Sequence, residues 1–147
     1  MEKQESVMVM SILTYYANQI FDGTKLYEFR KSPLKSSDLN RDILIYSAKG
    51  DKAIIGSFKV KEILHGDINE ILKLTGYDKR SDGHEIVEYF GQKNNCYALK
   101  LYDVKRFKKP ITLKELRSVN PKLQLPQYYA YIKSSDPIYS FILEKIL

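Results

Sequence analysis

The chain has 147 residues with a single cysteine, and it is 44% hydrophobic and 29% charged. That length suits one domain, expected over 1–147, with a core large enough to need no disulfide or structural metal. The balance excludes a wholly disordered chain, one cysteine excludes an internal disulfide, and no apolar run is long enough to span a membrane.

In chain order, residues 7–11 are apolar and partly β-branched and predict a first strand. Thr14 is the expected cap of a helix over 15–22, with Ala17, Ile20 and Phe21 as its apolar stripe and Gly23 as its stop. Residues 25–31 alternate as a strand, with Leu26, Glu28 and Arg30 on one face and Tyr27 and Phe29 on the other. Residues 32–41 read as a loop, 42–48 as a strand, 49–52 as a turn, and 53–64 as a long strand in which Gly56 marks a bulge or bend.

The middle changes period. Ile68, Ile71 and Leu72 have helical spacing and stop at Gly76; Asp82 opens a second helical stretch that ends at Gly91. Residues 95–107 alternate again, as a long strand. Thr112 caps a short helix over 113–117, the segment 127–132 shows no clear period, and 136–147 predicts a closing helix with Pro137 in its first turn and Ile138, Phe141, Ile142 and Ile146 as its stripe. Strands at both ends with helices between them indicate an α+β domain on a small mixed or antiparallel β-barrel with packed helices.

The net charge of +6 favours a polyanionic partner. Twelve tyrosines and six phenylalanines lie among the lysines, which suits base stacking beside phosphate contacts, although a bland reading places most of these rings in the core. The run Lys105-Arg106-Phe107-Lys108-Lys109 is either a phosphate-binding rim or a charged edge that discourages strand-to-strand aggregation. His65 and His84 each stand alone, and Cys96 has no histidine beside it, so neither a metal site nor a thiol nucleophile is expected. No cofactor is called for. A lone cysteine and no visible leader segment suggest the cytoplasm.

The segment Gly23-Thr24-Lys25-Leu26-Tyr27-Glu28-Phe29-Arg30 carries the pattern G-x-K-x-x-E-x-R. It resembles the signature of the ASCH family, which is related to PUA domains. Ile45-Tyr46-Ser47, Ile55-Gly56-Ser57-Phe58, Tyr97-Ala98-Leu99, Pro110 and Pro126-Gln127 resemble landmarks further along that family, so the likeness extends over nearly the whole chain. Leu13 and Thr14 stand where the family often has a lysine and a proline. The resemblance implies a PUA-like β-barrel with a cleft beside the signature that binds RNA or a nucleotide. It also implies that some relatives are hydrolases, acting on N4-acetylcytidine or on RNA. In the amidohydrolases the lysine matching Lys25 is catalytic, while Glu28 replaces their threonine.

The nucleic-acid-binding residues expected from this are Lys25, Glu28, Arg30, Lys31, Tyr46, Ser47, Lys49, Gln127 and Tyr128. Lysine offers phosphate a point charge, arginine a fork, and an amide beside an aromatic can read a base edge. Glu28 and Arg30 can equally form a structural pair on the strand. An RNA-binding module is ranked ahead of an enzyme in which Lys25 and Glu28 are catalytic, and a protein-interaction module is the third alternative. Oligomeric state is not readable from the sequence.

Overall fold

The computed structural model describes residues 5–125 and 127–146. The described chain is α+β. Six strands, β1 (Ser6–Ser11), β2 (Tyr27–Arg30), β3 (Ile43–Ser47), β4 (Ala53–Gly66), β5 (Cys96–Thr112) and β6 (Tyr129–Lys133), form one mixed sheet in the order β2-β5-β4-β3-β1-β6. Five α-helices accompany it: α1 (Thr14–Asp22), α2 (Ile68–Thr75), α3 (Gly83–Phe90), α4 (Leu113–Val119) and α5 (Pro137–Ile146). The sheet ends in two edge strands, β2 and β6, so among the described residues the strands expected to make a small barrel form a mixed sheet that is not closed. The chain divides into two compact units: a terminal unit of Met1–Thr24, Asp42–Phe58 and Asp103–Leu147, and an inner unit of Lys25–Arg41 and Lys59–Tyr102.

In the terminal unit β1 runs parallel to β3 and antiparallel to β6, with Val9 opposite Leu44 and Ala130. All five β3 residues are buried, which is why that strand reads as a continuous apolar run rather than an alternating one. The core joins Val9, Leu44, Tyr46 and Ile54 to Leu116 on α4 and to Ile138 and Ile142 on α5. Gly56 carries out the expected role. The β3–β4 register shifts beside it, and a Cβ there would lie 2.3 Å from the Lys105 carbonyl oxygen and 2.6 Å from the Phe21 ring. Only a glycine lets the two backbones approach so closely.

In the inner unit β2 pairs antiparallel with β5, setting Glu28 opposite Leu99 and Arg30 opposite Tyr97. The alternate residues Phe29, Ala98 and Cys96 form a second core with Ile71 of α2 and Ile86 and Phe90 of α3. Asp67 and Glu70 make a reciprocal capping box at the start of α2, and Gly76 ends it in the left-handed region.

Several expectations are corrected. Thr14 is the first residue of α1 rather than its cap; its hydroxyl instead meets the Ser47 hydroxyl and the Lys49 carbonyl. Leu26 precedes β2 and is exposed, so it does not share the buried face of Glu28. Asp103 adopts φ 50, which interrupts the alternation of β5, and that strand continues through Pro110 to Thr112. The undecided segment contains β6. The rings divide between core and surface: Tyr46, Tyr77, Phe29, Phe58 and Phe90 are buried, and Tyr27, Phe107, Tyr139 and Phe141 pack partly buried against the two cores. Pro126 and Leu147 lie outside the described residues. No described helix is long and apolar enough to cross a membrane.

Candidate nucleic-acid interface

From Lys25 to Arg30 the signature residues belong to the inner unit. Gly23, at φ 86, ends α1, and the chain turns into β2 so that Lys25 and Glu28 are only 4% and 7% exposed. The Glu28 carboxylate accepts one cation on each oxygen: Lys25 Nζ lies 3.7 Å from Oε1, and an Arg30 terminal nitrogen 2.8 Å from Oε2. Lys25 Nζ also sits 4.8 Å from the centre of the Phe29 ring. Burial pushes the Lys25 ammonium pKa below its ordinary value; Glu28 works against that shift, and the charges of Arg30 and Arg80 reinforce it.

Arg80 and Asp82 belong to the same surroundings, and neither was expected there from the sequence, which marked Asp82 only as a helix start. The Arg80 guanidinium lies 4.1 Å from the Tyr77 ring centre and forks onto Asp82, with Nε–Oδ1 at 2.9 Å and a terminal nitrogen 2.8 Å from Oδ2. That fork holds the Asp82 carboxyl below its usual range, while burial raises the Tyr77 phenol. An Arg-x-Asp triplet just before a helix is too common to mark a site, and only the fold brings its charge to Lys25. Lys31 is exposed, its ammonium 5.0 Å from the Tyr89 ring centre.

The remaining expected residues lie in the terminal unit. Tyr46 and Ser47 end β3 and are 5% and 0% exposed. The Ser47 hydroxyl is tied to Thr14 and to the Lys49 carbonyl, so it anchors a turn instead of facing solvent. Burial raises the Tyr46 phenol, and the charge of Arg117 opposes that shift. Lys49, Gln127 and Tyr128 are exposed, and the Tyr128 carbonyl accepts from Ser11 N. The structure therefore brings Lys25, Glu28 and Arg30 together, and it places Tyr46, Ser47, Lys49, Gln127 and Tyr128 in the other unit.

An open cavity of about 650 Å³ in the terminal unit is lined by Asp51, Lys52, Thr112, Leu113, Lys114, Arg117 and Ser118. Three cations face one carboxylate there. Thr112 caps α4 by accepting from Glu115 N, the Leu113 amide donates to the Lys52 carbonyl, and Arg117 Nε donates to the Leu123 carbonyl at 3.1 Å. These bonds hold the cationic side chains on a braced framework. The sequence offered no sign of this cavity, because Lys52 is more than sixty residues from Lys114 in the chain. Among the described residues no group of three or more His, Cys, Asp and Glu is placed to hold a metal ion. Cys96 is buried, which raises its thiol pKa.

With this geometry established, the ASCH domain profile matches residues 10–133. The chain belongs to the ASCH domain family. It is 27% identical over 129 residues to an "ASCH domain-containing ribonuclease" of Zymomonas mobilis, covering 87% of this chain and 85% of that protein. The crystal structure of an ASCH protein from Zymomonas mobilis superposes with a TM-score of 0.78 at 26% identity, over 92% of this chain and 94% of the other. A hypothetical protein from Leishmania major shares the fold, with a TM-score of 0.54 at 18% identity over 95% of this chain and 92% of the other.

Proposed function

We propose that this ASCH domain binds RNA, and that its phosphates enter the open cavity of the terminal unit at Lys52, Lys114 and Arg117. The observation that carries this reading is the exposure of those cations. Phosphate contacts give affinity only where a hydrated backbone can reach the charge. Lys25 and Glu28 are enclosed and meet each other instead, while Lys114 and Arg117 are exposed and line an open space. The name of the Zymomonas mobilis relative supports RNA as the ligand. Lys49, Gln127 and Tyr128 are further contacts in the same unit, and Lys31 is one in the inner unit. A PUA-like relationship belongs to this reading and not to the observed sheet.

Fluorescence anisotropy with a short labelled RNA tests it. The chain binds at low salt and loses affinity steeply as salt rises; Lys114→Gln and Arg117→Gln each weaken binding and reduce the salt slope by about one. No binding at low salt would sink the proposal.

A second reading, RNA cleavage, is favoured by the relative's name and by the lowered pKa of Lys25, since perturbed groups gather at reactive sites. In it Lys25 serves as the base, with Glu28 beside it. Gel analysis of end-labelled RNA decides: cleavage that Lys25→Ala reduces about 10²–10⁴-fold supports it, and intact RNA at high protein concentration removes it.

A further inference from the structure

On the inner unit one exposed side chain is held more firmly than its position requires. His65, near the end of β4, stacks on Tyr97 of β5, with ring centres 4.4 Å apart and planes 7° from parallel. Its Nε2 lies 3.1 Å from Asn95 Oδ1, so the imidazole donates there. One contact fixes the ring's plane and the other its rotation about the stacking axis. His65 is nevertheless exposed, and its two ring contacts, Tyr97 on one face and Asn95 at the edge, leave the other face without a ring partner among the described residues.

The register shows which sheet face this is. Tyr97 lies opposite Arg30, and directly opposed residues of an antiparallel pair project to the same side. The alternate residues Phe29, Ala98 and Cys96 carry the core beneath α2 and α3. The Glu62–Lys100 ion pair, 3.8 Å apart, has the opposite parity to His65 and Tyr97 on β4 and β5. His65 and Tyr97 therefore stand with Arg30 on the side of the inner unit's strands away from α2 and α3.

A flat, oriented ring with one face against a tyrosine and the other without a ring partner is a platform that a further ring can extend. Every nucleobase has a π-face to offer, whatever its hydrogen-bonding edge. We propose that a nucleobase of bound RNA stacks on the open face of His65, continuing the His65–Tyr97 stack. This site is separate from the phosphate cavity and rests on the RNA reading above. Its contribution is stacking rather than charge, so an aromatic replacement keeps it and a salt titration does not detect it.

The test uses the full chain and a short fluorescein-labelled RNA. His65→Ala weakens binding about 5- to 150-fold with the salt slope unchanged, because base–aromatic stacking is worth about 1–3 kcal/mol per base. His65→Phe stays near the parent, and RNA carrying 5-iodouridine photocrosslinks to a peptide containing His65 or Tyr97. Melting curves of both variants confirm that the fold is retained. RNA binding unaffected by His65→Ala, or equal losses in His65→Ala and His65→Phe, would overturn the stacking site while leaving the RNA reading intact. If the parent chain binds no RNA at low salt, both fall together.

Discussion

In the inner unit Lys25, Glu28 and Arg30 are almost wholly enclosed, whereas in the terminal unit Lys52, Lys114 and Arg117 line an open cavity. Each group has lysine and arginine, but in the first they share the Glu28 carboxylate out of reach of solvent and in the second they stand open to it. An enclosed lysine loses hydration and recovers only part of it from its carboxylate, so its charge is costly and its pKa falls. A lysine at an open cavity keeps its water until a phosphate replaces it. A basic residue in a family signature is thus not by itself a phosphate contact; access decides.

The largest expected effect follows from taking away the carboxylate that serves two enclosed cations. Glu28→Ala leaves Lys25 and Arg30 without it and destabilises the fold by about 3–5 kcal/mol, measured by urea unfolding. A loss below about 1 kcal/mol would mean that the pair is far better hydrated than its burial indicates. Next comes Gly56→Ala in the terminal unit, which forces a Cβ against the Lys105 carbonyl and the Phe21 ring and costs about 1–3 kcal/mol.

Lys25→Met sharpens the comparison through pH. The native pKa of Lys25 is lowered below 10.5, so between the two values the unfolded chain binds more protons than the folded one. Stability from this group is full above pH 10.5 and is lost as pH falls through the native value. Lys25→Met should remove that alkaline rise and leave stability at neutral pH unchanged or up to about 2 kcal/mol higher. Denaturant midpoints across pH read both; a slope that survives in Lys25→Met would assign it to another group. Smallest is Asp67→Ala, which removes the α2 capping box and costs about 1 kcal/mol by thermal unfolding.

Much of the local structure was legible because it depends on neighbours in the chain. Gly23 and Gly76 stop their helices in the left-handed region, Thr112 caps α4, and Ile138 and Ile142 form the buried stripe of α5, each as the residue type dictates. Failures came where a distant group overrode the local preference. Thr14 is a good capping residue, but Ser47 and Lys49 engage its hydroxyl. The alternation of β5 breaks at Asp103, whose φ of 50 no pattern of polarity announces.

The candidate sites divide in the same way. The signature marked Lys25, Glu28 and Arg30 as a group; Glu28 and Arg30, two apart on β2, share a face by strand alternation, whereas Lys25 meets Glu28 only because it lies ahead of the strand. The sequence by itself determined most element types and the helix stops, which rest on short-range sterics and periodicity, and carried the ASCH resemblance in its motif, but it left β6 undecided. Only the tertiary structure decided that the signature lysine is enclosed, that Arg80 lends its charge to it, that Lys52 and Lys114 share a cavity, and that His65 lies on Tyr97. Burial and electrostatics act through space, and chain separation carries no information about them.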